Sequence, residues 1–304
     1  MSKNKDLNYA VHLLHEHAAA PAPLVSAKVD GTRFSLQEQE CQQAAGNLGE
    51  SSGGEADALR LEKRTHLNTA KYKINLIDYG HGVGEIGWSF ISTKQITKAA
   101  RGKSEMRPKN EDRSMRRSRS KMRKLILSTK ADHLLTLTYR DNLTDFAQSA
   151  KDFSSFIRKV KFAIPDFIYI AVAEQQKRGA WHWHLAVRGH QNVSLLRLAW
   201  RSVVGDGNID VNAPKLSQKG RQFALIQYLS KYLGKGFADG EHKLNARRFR
   251  ASQGIKIPYL SIELPNNDCS ALSFAVETLR VRVGSVGHVW ISDDCMAGWA
   301  CSWK

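Results

Sequence analysis

Downstream of Tyr72 the chain reads KINLIDYGHGVGEIGWSFIS: an alternating apolar run, a glycine-rich turn and a second apolar run. That pattern predicts a β-hairpin. His133 to Tyr139, HLLTLTY, alternates apolar and polar positions and predicts a strand. From Asp145 to Val160 the period changes, with Phe146, Phe153, Phe156, Ile157 and Val160 on one helical stripe and Thr144 placed as N-cap. Phe167–Glu174 and Trp181–Arg188 predict two strands joined by the turn QKRGA. Ser194–Val204 predicts a helix closed by Gly205, and Asn208–Val211 a short strand. Gln222–Leu233 predicts a last helix, closed by Gly234.

The order β-α-β-β-α-β-α is that of a split βαβ, ferredoxin-like α+β fold. It implies an antiparallel central sheet with helices on one face and the other face open for a ligand. Four regions follow. Residues 1–66 contain AAAPAP and GNLGESSGGEAD and read as a flexible or weakly structured extension. Residues 67–127 hold the hairpin and a basic helix predicted from Asp112 to Leu127. Residues 128–240 hold the sheet-and-helix core. Residues 241–304 resist assignment and end in the aromatic-rich WISDDCMAGWACSWK.

Composition adds the partner. The chain has 304 residues, 46 Lys+Arg against 29 Asp+Glu, for a net charge of +17. Residues 1–66 carry −2, so the excess lies entirely after them. Arg101–Lys124 alone carries +8, with eleven basic and three acidic residues. Solvated helix faces usually mix both signs, and this one does not. Arg113, Arg116, Arg117, Arg119, Lys121, Arg123 and Lys124 are therefore candidate DNA contacts, joined by Arg247, Arg248 and Arg250 further on. Each phosphate so neutralised releases a counterion, so binding should be steeply salt-dependent. The longest apolar run, Phe167–Ala173, is far short of the roughly 18 residues of a membrane span. The N-terminal residues do not read as a secretory signal. Four cysteines without a CxxC spacing fit reduced thiols. The expectation is a soluble cytoplasmic protein with no membrane partner.

Two motifs fail on context. Gly82, Gly84 and Gly87 match GxGxxG, but strand-like WSFIS follows where a dinucleotide site needs a helix start. Gly102-Lys103-Ser104 resembles the end of a P-loop, but Thr97 occupies the position of its first glycine. No nucleotide cofactor is expected.

The chemistry-bearing run is GAWHWHLAV, Gly179–Val187. On a strand, His182 and His184 share one face while Trp183, Leu185 and Val187 share the other. If the hairpin closes symmetrically about Arg178, Glu174 lies opposite His182 and points to the same face. Two imidazoles and a carboxylate are then a candidate metal set with open positions. An HxH pair alone reads equally well as two unrelated strand histidines. In IQYLSKYLGK, Tyr228, Tyr232 and Lys235 fall on one helix face. Tyrosine is a competent nucleophile toward a polarised phosphate.

With these residues in place the chain resembles HUH-superfamily rolling-circle replication initiators, of bacteriophage or plasmid type with two active-site tyrosines. LLTLTY (Leu134–Tyr139) resembles the first motif, HWH (His182–His184) the metal motif, and YLSKYLGK (Tyr228–Lys235) the nucleophile motif. ARRFRASQGI, Ala246–Ile255, is similar to an arginine-rich segment of phage-type members. The resemblance covers residues 112–260. It implies that His182, His184 and Glu174 hold Mg²⁺ or Mn²⁺, with Gln175 or Gln176 as alternatives for the third ligand, which varies among such proteins, and that Tyr232 attacks origin DNA, single-stranded or hairpin. The products are a 5′-phosphotyrosine and a 3′-hydroxyl primer. Tyr228 then serves the second transfer and Lys235 stabilises charge. Host helicase and polymerase supply the rest, in a bacterial cytoplasm. Two rivals remain: a relaxase or single-strand transposase with the same chemistry, and a non-catalytic nucleic-acid binder.

Overall fold

The computed structural model describes residues 71–91, 106–214, 220–238, 249–265 and 270–303. Among them are two antiparallel five-stranded sheets and five helices, an α+β fold. No described helix is long and apolar enough to cross a membrane.

The first sheet forms the core. Its strands are β3 (His133–Tyr139), β4 (Tyr169–Gln175), β5 (Trp181–Val187), β6 (Gly207–Asn212) and β7 (Arg250–Ala251), in the order β6-β3-β5-β4-β7. Without β7 this is the ferredoxin-like order. α2 (Phe146–Ala163) and α3 (Val193–Val204) are its two crossover helices. Right-handed crossovers place both on the same face. There Phe153, Phe156, Ile157, Val160, Leu196 and Trp200 enclose Leu135, Leu137, Trp183 and Leu185. Asp145, not Thr144, caps α2, its carboxylate accepting from the Ala147 N–H. A carboxylate at a helix N-terminus also gains from the helix dipole. Gly205 closes α3 as expected, at φ 77°.

The opposite face departs from the expectation of an open surface. α1 (Arg107–Thr129) and α4 (Arg221–Ala238) cover part of it. Met122, Leu125 and Ile126 of α1 and Leu225, Leu229 and Leu233 of α4 cluster with Ile170, Val172 and Ala186. The reason is apolar spacing: Leu225, Leu229 and Leu233 recur every four residues and need a partner surface. Gly234 does not end α4, which continues to Ala238.

The second sheet has the order β8-β1-β2-β10-β9. It joins the expected hairpin, β1 (Lys71–Gly80) and β2 (Val83–Ile91), to β8 (Tyr259–Pro265), β9 (His288–Ile291) and β10 (Ala297–Cys301). The sequence pattern left these last strands unassigned. The glycine pattern rejected as a dinucleotide site lies in this hairpin: Gly82 takes φ 73° in the turn, and β2 runs on to Ile91. α5 (Ser270–Val283) covers one face, where a Cβ on Gly84 would meet a Val283 methyl at 2.5 Å. Gly102–Ser104 lies outside the described residues.

The two sheets meet through α1. Glu85 of β2 is 1% exposed. It accepts from Arg123 at 2.5 Å, from the Tyr79 hydroxyl at 2.8 Å and from Trp299 Nε1 at 2.9 Å. Burial, reinforced by the Glu85 charge, pushes Tyr79 well above the ordinary tyrosine range. Leu127 packs with Ile77 and Tyr79.

Leu229 is fully buried between α4 and the sheet. Leu229→Ala is expected to lower unfolding stability by about 2–5 kcal/mol, measured by urea denaturation. The loss should be accompanied by greater mobility of the tyrosine helix.

Candidate active site

Strand register builds the site. β4 and β5 pair antiparallel with Glu174 opposite His182, as the symmetry about Arg178 predicts. β3 pairs with β5 so that Thr136 faces His184, and with β6 so that Thr136 faces Asp210. One face of the sheet therefore carries Asp210, Thr136, His184, His182 and Glu174 together. Trp183 and Leu185 point the other way, into the core.

His184 is the best-anchored of these groups. Its Nε2 lies 2.8 Å from Glu174 Oε2 and its Nδ1 3.3 Å from the Thr136 hydroxyl. The carboxylate only accepts, so Nε2 donates to Glu174 and Nδ1 accepts from Thr136. His182 Nδ1 is 3.3 Å from the Gln176 amide nitrogen. Its Nε2 is buried with no hydrogen-bond partner among the described residues. Burial holds both imidazoles below the usual histidine range. For His182 the His184 neighbour adds to this, and for both Glu174 opposes it. Gln175, the other alternative ligand, instead donates to the Gly179 carbonyl and closes the turn.

α4 lays its two tyrosines on this face. The leucine stripe fixes the helix, and Tyr228 and Tyr232 fall beside it, half-buried. The Tyr232 ring stacks on His184, centroids 4.6 Å apart and planes 16° apart. Tyr228 meets the same imidazole edge-on at 5.4 Å and Tyr232 at 4.8 Å. Burial drives the Tyr228 phenol well above its ordinary range, with the Tyr232 hydrogen bond and the charges of Glu174 and Asp210 adding to it. Lys231 Nζ lies 5.8 Å from the Tyr232 ring centre, a cation that the sequence motif did not single out. Lys235 is one turn further along α4, with its side chain outside the described residues.

The donor set suits a divalent ion in kind: two neutral imidazoles, one with a buried nitrogen that has no partner among the described residues, and a carboxylate. It is not assembled as a cage. Among the described residues no group of three or more His, Cys, Asp or Glu is arranged to hold a metal. Glu174 and His184 engage each other instead.

The basic residues divide. Arg113, Arg116, Arg117, Arg119 and Lys121 are exposed on the projecting half of α1, Arg116 pairing with Asp112. Arg123 is an internal partner of Glu85 and lies 4.8 Å from the Trp299 ring centre. Lys124 is half-buried, its Nζ 3.9 Å from Glu85 Oε1. Arg250 donates to the Ala150 carbonyl and to Ser154, and lies over the Phe153 and Trp183 rings. Arg123 and Arg250, two of the cations the charge pattern offered as DNA contacts, thus have partners within the fold. Arg247 and Arg248 lie outside the described residues. Thr136 and Asp210 are the site residues that sequence reasoning missed.

The result is a ferredoxin-like core with a histidine-bearing strand beneath a tyrosine-bearing helix. Residues 132–237 match the family model for the replication-associated protein ORF2, from the start of β3 into α4. Over that core the chain is similar to replication-associated proteins. No curated protein and no solved structure matches the chain.

Histidines held below their ordinary range give a signed pH dependence in chelator-treated protein. Unfolded histidine protonates near pH 6.5 and the buried imidazoles only at lower pH. Below pH 6.5 the unfolded chain binds more protons, so stability falls as pH falls. Thermal melts from about pH 7.5 to about pH 5.5 should show this loss. The slope should flatten in a His182→Ala/His184→Ala variant that remains folded.

Proposed function

We propose that the protein is a replication initiator that nicks single-stranded origin DNA and keeps the new 5′ end on a tyrosine. The stacking of Tyr232 on His184, inside the segment similar to replication-associated proteins, carries this reading. The Tyr232 phenolic oxygen attacks the scissile phosphorus, and the bond from phosphorus to the 3′ oxygen breaks. The tyrosine proton is lost and the leaving 3′ oxygen gains one, giving a 5′-phosphotyrosine and a free 3′-hydroxyl. One phosphodiester replaces another, so rejoining needs no nucleotide. His182, His184 and Glu174 would hold a divalent cation, Mg²⁺ or Mn²⁺, whose charge polarises the phosphate. Tyr232 acts first in this reading because its ring is the one that stacks on His184. Tyr228 then takes the second transfer. The exposed cations of α1 grip the flanking strand.

One observation favours a second reading. Glu174 and His184 form a buried hydrogen-bonded pair, and no cage is assembled among the described residues. In this reading the core binds DNA and does not cut it.

Incubation with origin-bearing single-stranded DNA and Mn²⁺ should give a covalent adduct on a denaturing gel. EDTA should abolish it, Tyr232→Phe should remove the first-step product, and Tyr228→Phe/Tyr232→Phe should remove all of it. An adduct that survives the double variant defeats the tyrosine assignment, and binding untouched by EDTA with no adduct favours the second reading. Neutralising Arg113, Arg117 and Arg119 together should weaken binding. It should also flatten the salt dependence by about one unit of slope for each phosphate that is no longer neutralised.

A further inference from the structure

We propose that the accessible part of the second sheet's face opposite α5 binds an unpaired base of single-stranded DNA, seated over Gly87 between Trp299 and Tyr259. The proposal rests on the DNA-acting reading above and gives the second sheet a part in it.

The register dictates the shape of this face. Ser261, Asn75, Gly87, Trp299 and Trp290 lie opposite one another on successive strands, so they form one row pointing to one side. α5 covers the other side, and α1 covers this one at Ile77 and Glu85, so the part around Asn75, Gly87 and Trp299 is what stays accessible. The row is interrupted at Gly87, and a cavity of about 570 Å³ opens there, bounded by Trp299, Tyr259, Asn75, Ser261, Lys73 and Lys124. Packing does not demand this glycine. Among the described residues a Cβ on Gly87 would meet only the Gly298 carbonyl, at 3.8 Å, and its φ is not left-handed. The missing side chain leaves a flat peptide floor beside an indole.

The walls have the chemistry of a base site. Trp299 is held by its hydrogen bond to Glu85 and by Arg123 against its ring, so it is a fixed platform. Tyr259 and Trp290 are each 51% exposed, unusual for such large rings. Asn75 uses its carbonyl to accept from Ser261 at 3.0 Å, leaving its amide N–H donors without a partner among the described residues. Lys124 lies 5.3 Å from the Tyr259 ring centre, and Lys73 has no partner among the described residues. Arg123 offsets the charge of Glu85. Aromatic rings interleaved with cations, and a few amide donors between them, is the composition of single-strand sites. The cavity also adjoins α1, which supplies Lys124 to its wall.

The test uses the full chain and fluorescently labelled oligothymidine, with a duplex of equal length as control. Gly87→Val fills the floor with a residue suited to a strand. Tyr259→Ala removes an exposed ring and serves if the first variant does not fold. Each should weaken single-strand binding about tenfold, the scale of a single base-stacking interaction, and change duplex binding by less than about twofold. Photocrosslinking with 5-iodouracil oligonucleotides should label the peptides carrying Trp299 or Tyr259. Folded variants that bind single strands like the parent, or equal losses on both DNAs, overturn the proposal, as do crosslinks confined to other peptides. A parent that forms the tyrosine adduct while these variants bind normally removes this platform alone. A parent that binds no single-stranded DNA removes both readings.

Discussion

β5 is buried on both faces, and the rest of the site depends on that constraint. Trp183 and Leu185 must sit in the core under α2 and α3, so His182 and His184 must face α4. A slip of one residue would exchange the two sets, placing imidazoles in an aromatic core and a tryptophan against the tyrosines. The polar members of the tyrosine side then need partners, because a buried unpaired polar group costs about 1–3 kcal/mol. His184 finds Glu174 and Thr136, and His182 finds Gln176 at one nitrogen only. The orphaned nitrogen is the one point where the network is incomplete among the described residues of this face. It lies where the chemistry is proposed.

The same constraint separates what the sequence makes legible from what it hides. Glu174 opposite His182 follows from the hairpin, whose register is set locally by a short turn. The alternation of β3 and the stripe of α2 are equally local. Thr136 and Asp210 are not readable, because β3 meets β5 and β6 across long stretches of chain. Nothing local reports such a register. The covered second face is hidden for a similar reason. The apolar positions Met122, Leu125 and Ile126 are visible in the sequence, but the surface that receives them is supplied by strands far downstream. The internal partners of Arg123 and Arg250 are hidden as well, because a count of cations does not reveal a buried carboxylate or a set of helix carbonyls. The second sheet is half-legible: its hairpin can be read, and the three strands that complete it cannot.

α1 links the charge to the site. Its projecting half carries arginines into solvent, while its last turns are gripped from two sides. Met122, Leu125 and Ile126 enter the cluster that holds Leu229 of the tyrosine helix. Leu127 and Arg123 enter the second sheet through Tyr79 and Glu85. A helix fixed at one end in this way carries its charges at a set place relative to Tyr228 and Tyr232. That matters because exposed charges act over only about 8 Å at physiological salt. A basic tail on a loose tether would raise affinity for any DNA without registering a phosphate against the tyrosines. In the proposed nicking reading an anchored helix does both, and it also carries Lys124 to the edge of the second sheet. The buried Glu85–Arg123 pair thereby serves placement more than stability. Ion pairs of this kind contribute little net folding energy, but they penalise any arrangement in which one partner is left buried alone.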